Sequence, residues 1–209
     1  MDKKIIQLMF ANVCAKEDLR PVLSGVHFEE ERCYASDGQI LVIYEESNPK
    51  LAGKTMYQTG EEIDGRYPNV DRVFPAENNF GTKLNIDIKQ LYSACAWHMK
   101  QQESADKDGV VINGVSYNVV LLKKILDIAL CGGASNVKFY NSDPSRVTVI
   151  TSPKLKCLIM PQQHEESEID SERLDEYCPR TYSYENFINE YVFNSWRKEP
   201  KKEPLSWID

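Results

Sequence analysis

The chain has 209 residues, 42% of them hydrophobic and 27% charged, enough for one globular domain of good size or two small ones, and too apolar for a disordered chain. Its net charge of −7 argues against a uniformly basic nucleic-acid-binding surface, but the acidity is uneven: residues 1–161 hold 19 basic and 20 acidic side chains, residues 162–209 hold 6 and 12. No apolar run approaches the roughly 18–20 residues of a membrane span, and Met1-Asp2-Lys3-Lys4-Ile5-Ile6 lacks a signal-peptide core, so a cytoplasmic location is expected.

Residues 3–16 carry Ile5, Ile6, Met9, Phe10 and Val13 on one stripe, which predicts an amphipathic helix ended by Arg20-Pro21. Three strands are predicted next, at 22–28, 32–35 and 39–44, with Glu29-Glu30-Glu31 and Ser36-Asp37-Gly38 as turns. Residues 45–60 read as loop with one strand at 55–58. A second helix is expected over 86–102, with Ile88, Leu91, Tyr92, Cys95 and Met99 on its apolar side, then a strand at 110–112. A third helix over 118–130 should stop at Cys131-Gly132-Gly133. Strands at 136–140, 146–151 and 154–160 close the body. Beyond it comes an acidic linker, His164-Glu165-Glu166-Ser167-Glu168, then a short helix over 184–192 with an aromatic face (Tyr184, Phe187, Ile188, Tyr191, Val192) and an extended, Pro-containing end.

Three segments, in order, carry a family resemblance. They are Arg20-Pro21-Val22-Leu23-Ser24-Gly25-Val26-His27-Phe28-Glu29 followed by Ala35-Ser36-Asp37-Gly38-Gln39-Ile40-Leu41, then Asp64-Gly65-Arg66-Tyr67-Pro68-Asn69-Val70-Asp71-Arg72-Val73-Phe74-Pro75, then Leu158-Ile159-Met160-Pro161. They resemble the R-x-x-L-x-G-x-x-F-E, A-T-D-G-H-R-L, D-G-R-F-P-D-Y-R-R-V-L-P and V-V-M-P segments of bacterial sliding clamps, the beta subunits of DNA polymerase III. Gln39 and Gln162 depart from the family's usual His and Met. The resemblance implies an α+β, DNA-clamp-like fold in which a helix plus three-strand meander repeats and antiparallel sheets carry their helices on one face. It divides the chain into a shortened, divergent clamp-like domain at 1–161, with half-units 1–75 and 110–161 and the 86–102 helix between them, and a tail at 162–209 without counterpart in clamps.

The family acts by binding. Replication proteins insert peptides of the Q-L-S-L-F form into an apolar cleft, and the positions matching its lining are Leu41, Pro75, Leu158 and Met160. Aliphatic walls and a thioether suit such anchors, although strand-end apolar residues serve a core equally well. By the same resemblance double-stranded DNA would be met by Arg20, Lys89, Lys100, Lys123 and Lys124, without sequence readout; lysines on helix faces are also the ordinary solvated kind. Pro204-Leu205-Ser206-Trp207-Ile208 is similar to a clamp-binding peptide, so Leu205, Trp207 and Ile208 are expected to dock in a clamp cleft, this chain's own, a neighbour's or a host clamp's.

No catalytic constellation, phosphate loop or metal-ligand spacing stands out, and no cofactor or metal is expected. The six cysteines contain no C-x-x-C pair and read as small buried hydrophobes in a reducing compartment. The sequence therefore points to a non-enzymatic, sliding-clamp-like replication accessory protein that serves processivity by binding peptides and DNA. The alternative is a monomeric adaptor or decoy that keeps the peptide cleft and encircles nothing.

Overall fold

The computed structural model describes residues 1–16, 19–101, 108–132, 136–141, 146–162, 169–174 and 205–208. Among them are three α-helices, α1 (Lys3–Asn12), α2 (Ile88–Gln101) and α3 (Val119–Ala129), and eleven strands. The strands are β1 (Val26–Phe28), β2 (Cys33–Ser36), β3 (Ile40–Tyr44), β4 (Thr55–Met56), β5 (Thr82–Leu84), β6 (Gly109–Ile112), β7 (Val115–Asn118), β8 (Lys138–Asn141), β9 (Thr148–Ser152), β10 (Leu155–Ile159) and β11 (Ile169–Asp170). The predicted 184–192 helix and the 164–168 acidic run lie outside the described residues.

Eight strands form one antiparallel sheet in the order β4-β1-β2-β3-β10-β9-β8-β5. Its centre is the β3–β10 pair, where Ile40 faces Ile159, Leu41 faces Leu158 and Tyr44 faces Leu155. Strands from residues 26–56 and from 138–159 thus share one continuous ladder.

Period-two alternation divides the sheet's side chains between two cores. Ile40, Val42 and Tyr44 of β3, with Leu155, Cys157 and Ile159 of β10, join the core formed with the helices; Leu41, Ile43 and Leu158 belong to the second core on the other face. The predicted α1 stripe is buried throughout, at Ile5, Ile6, Met9, Phe10 and Val13. Asp127 of α3 ties the helices together: it accepts from the Tyr92 hydroxyl of α2 at 2.6 Å and from the Asn12 amide of α1 at 3.4 Å.

A smaller sheet, β11-β6-β7, adds to the helix-side core. Asn113 and Gly114 both take positive φ, 51° and 74°, the two-residue turn whose twist suits a hairpin. This makes 115–118 a strand, with Asn118 capping α3 through a bond from the Leu121 N–H at 2.9 Å. The Tyr117 hydroxyl accepts from the Asn141 amide at 2.9 Å and shares a 2.6 Å hydrogen bond with Thr148, joining β7 to β8 and β9.

Several expected boundaries shift. The first helix stops at Asn12 rather than Lys16, because the Ala15 N–H is taken by the Leu23 carbonyl at 2.9 Å. The expected strand over 22–28 begins only at Val26: Pro21, with its fixed φ, opens a 3-10 turn over Pro21–Ser24. β5 and β11 are not foreseen by the sequence pattern at all. No helix among the described residues is long and apolar enough to cross a membrane.

Candidate peptide-binding cleft

The second core lies on the sheet face opposite the helices. Here the 64–75 segment packs over β2, β3 and β10: Tyr67 and Val70 are buried with Tyr34, Leu41, Ile43, Val149 and Leu158. Two contacts fix this segment. The Arg32 guanidinium donates twice to the Asp71 carboxylate, each bond 2.8 Å, and also pairs with Glu29, which accepts from the Tyr34 hydroxyl at 2.9 Å. The Arg32 hydrogen bond holds the Asp71 carboxyl below its ordinary range; at Glu29 burial pushes upward, but the bonds from Arg32 and Tyr34 prevail and hold that carboxyl low as well. The rings of His27, Tyr34 and Tyr67 supply the second contact, with centroids 5.1–5.3 Å apart.

Where the segment leaves the sheet it opens a cleft of about 210 Å³. The floor is the cross-strand pair Leu41 and Leu158, with Leu23; the walls are Tyr67, Pro68, Asn69, Val70 and Val73 on one side and Val147 and Met160 on the other. The β2–β3 turn forms its end. Asp37 accepts from the N–H groups of Gln39 and Ile40 at 2.8 and 2.9 Å, and Ser36 accepts from Gly38 while donating to the Ile40 carbonyl. Gly38 has φ of 91°, which explains a glycine after the capping aspartate.

Floor and mouth differ in exposure. Leu41 and Leu158 are 5% and 3% exposed, whereas Met160 and Val73 are 45% and 56% exposed. The cavity therefore joins an aliphatic floor to bare apolar groups at its rim. The Tyr67 hydroxyl, buried in the lining, approaches the Ser36 backbone without making a hydrogen bond.

Of the four cleft residues expected from sequence, Leu41, Leu158 and Met160 line this cavity together; Pro75 stands outside it, and Pro68 forms the wall in its stead. Tyr67, Val70, Val73 and Val147 join the lining beyond those expected. The first three sit in the quoted 64–75 segment, where a 3-10 turn over Val70–Arg72 aims Val70 and Val73 at one place, a spacing that strand or helix periodicity does not show.

The five cations expected to meet DNA do not form one surface. Arg20 lines the cleft, on the sheet face away from the helices, while Lys89 and Lys100 are exposed on α2. Lys123 is bound within the helix layer: its ammonium pairs with Asp127 at 2.9 Å and lies 5.2 Å from the centre of the Tyr92 ring. Lys124 is half-buried on α3. Leu205, Trp207 and Ile208 pack into this chain's own body, away from the cleft.

Burial raises the pKa of each described cysteine, the thiols of Cys95 and Cys157 to about 12, so at neutral pH they are protonated and poor nucleophiles. Cys178 lies outside the described residues. Among the described residues no cluster of three or more His, Cys, Asp or Glu side chains is arranged to hold a metal ion.

Burial also lowers the His27 pKa from 6.5, against the opposing pull of Glu29. Unfolding therefore takes up a proton below the unfolded value, and stability falls as pH drops from 7 toward 5. The depressed carboxylates of Glu29 and Asp71 add their own loss only below their ordinary values of 4.5 and 3.8. Urea midpoints at pH 7.5, 6 and 5 should decline in the wild type and decline less in His27→Phe; identical slopes would remove His27 from this role.

No protein-family model matches the chain, and no curated protein does. Solved structures do. The beta sliding clamp of C. crescentus superposes with a TM-score of 0.62 at 16% identity, over 78% of this chain and 64% of that one. A DNA polymerase sliding clamp of Pseudomonas aeruginosa gives 0.61 at 17%, over the same shares. The Helicobacter pylori beta clamp bound to a DNA ligase peptide gives 0.60 at 11%, over 77% and 63%. The fold is thus that of bacterial DNA polymerase III beta sliding clamps, and the match spans less than two thirds of their length.

Proposed function

We propose that the chain is a non-enzymatic, clamp-type docking protein of DNA replication, cytoplasmic, which holds apolar peptides of replication proteins in the cleft floored by Leu41 and Leu158. The observation that carries this reading is the pairing of a buried aliphatic floor with the exposed Met160 and Val73 at its rim. The quoted motifs support it, since their residues meet at this cavity from three distant parts of the chain. So does the likeness to a clamp solved with a DNA ligase peptide.

The test is fluorescence anisotropy with a labelled Gln-Leu-Ser-Leu-Phe peptide. The wild type is expected to bind saturably. A Val73→Ala, Met160→Ala double variant should bind about tenfold more weakly, a loss of about 1.4 kcal/mol. Because both side chains are exposed, its urea midpoint should stay put. Equal affinity in the folded variant would overturn the assignment.

A second reading, a monomeric adaptor that encircles no DNA, is favoured by the cations: Arg20 and the α2 lysines lie on opposite sheet faces, and Lys123 is paired with Asp127. Processivity through a ring further requires heterologous contacts that close by symmetry. Light scattering on the same samples, with and without duplex DNA, separates the two: peptide binding by a monomer indifferent to DNA selects the adaptor.

A further inference from the structure

The described end of the chain packs beside the hairpin that follows β4. The segment at 205–208 reaches back across the chain and inserts between α1, β1 and the hairpin that follows β4. The Trp207 ring meets Phe10 of α1 and Phe28 of β1 edge-on, each with centroids 6.2 Å apart. Its indole N–H donates to the Gln58 carbonyl at 3.1 Å, and the Asn48 amide donates to the Ile208 carbonyl at 3.0 Å. Leu205 and Ile208 are 1% and 5% exposed.

The slot is shaped to this segment. Gly60 turns over the indole with φ of 92°, and a Cβ there would stand 2.7 Å from Trp207 Cδ1. Two polar bonds, two ring contacts and a glycine roof distinguish it from a patch that any apolar group could cover. A cavity of about 300 Å³ lined in part by Cys14 and Tyr57 shares Phe10 and Gln58 with it.

From these contacts we propose that this slot is a tryptophan-keyed peptide site, separate from the cleft, that takes the Leu-Ser-Trp-Ile segment of a second copy as well as the chain's own. Length permits the reach: 30 residues separate Leu174 from Leu205, which span at most roughly 100 Å, while a chain of this size has a radius of gyration of about 17 Å. Exchange between copies then preserves every contact, and tethering sets the balance, since a linked segment competes at an effective concentration of about millimolar. The proposal does not depend on what the cleft binds.

The test uses the full chain and a labelled synthetic peptide of residues 201–209. Trp207→Ala vacates the slot and is expected to bind the peptide at least about tenfold more tightly than the wild type, whose own segment competes. Adding Gly60→Val to Trp207→Ala should abolish the gain. A folded Trp207→Ala chain that captures no peptide, or no better than the wild type, overturns the proposal.

Should Trp207→Ala fail to fold, the wild type decides. The same peptide carrying benzoylphenylalanine in place of tryptophan, in millimolar excess, is expected to photo-crosslink at Phe10, Gln58 or Gly60, and excess unlabelled peptide to suppress the crosslink. Crosslinks that are scattered, absent or insensitive to competitor overturn the proposal.

Discussion

Gly25→Ala is expected to destabilise the protein by about 3 kcal/mol, the upper end of what one added methyl does in a close-packed site. The reason is not backbone freedom, because Gly25 is extended, with φ of −126° and ψ of 170°. It is contact: a Cβ would lie 2.5 Å from Ile63 Cδ1 and 2.6 Å from the Met56 carbonyl oxygen. The isoleucine could turn away, but the carbonyl belongs to β4, whose Met56 is paired with Val26. Relief means pushing β4 off β1, and with it the hairpin that roofs Trp207 and leads to Tyr67. Urea unfolding should show the lower midpoint with an unchanged slope, and an unshifted midpoint would mean that β4 does not approach this closely.

Tyr117→Phe is expected to cost about 2 kcal/mol. Its hydroxyl is the partner of the Thr148 hydroxyl, 0% exposed, and accepts from the Asn141 amide, so removal takes away two hydrogen bonds and leaves the Thr148 hydroxyl buried without the tyrosine. Thr148→Val alone should cost a comparable amount. The double variant should be less destabilised than the sum by about 1 kcal/mol, because the second change removes a group already orphaned. Strict additivity across the cycle would show that the two hydroxyls do not act as a pair.

Much of the architecture was legible because it rests on periodicity. The α1 stripe is fixed by burial on one side, whereas β3 and β10 are apolar runs between turns, buried on both faces; all three emerged where the pattern put them. The misses share a cause. β5, at the sheet's edge, is mostly exposed and has no apolar rhythm, and β11 is two residues long; each is a strand only because a neighbour offers it hydrogen bonds. β7 was hidden by the strong helix signal that follows it, though Asn113-Gly114 marked a hairpin turn.

The cleft was legible in part for a different reason. Leu41, Leu158 and Met160 could be placed by motif resemblance, and the structure brings them to one cavity. Pro75 has the same motif origin but stands outside the cavity, where Pro68, before the 3-10 turn at Val70–Arg72, and Val73, at its end, form the wall. The lysine surface shows the limit of reading charge from a helix face: nothing local in the sequence of Lys123 reveals the Tyr92 ring brought to it by α2.

The central β3–β10 pairing also governs how the protein is made. Tyr44 must wait for Leu155, roughly 110 residues later, before its strand has a partner on that side. At ribosomal speeds of about 5–20 residues per second, that interval lasts on the order of ten seconds. Throughout it, Ile40-Leu41-Val42-Ile43-Tyr44 offers an uncharged, proline-free edge of the kind that recruits other chains. Folding yield in the cell should consequently depend on chaperone capacity and on translation rate between these two strands, and a slowed ribosome would harm this protein more than its native stability suggests.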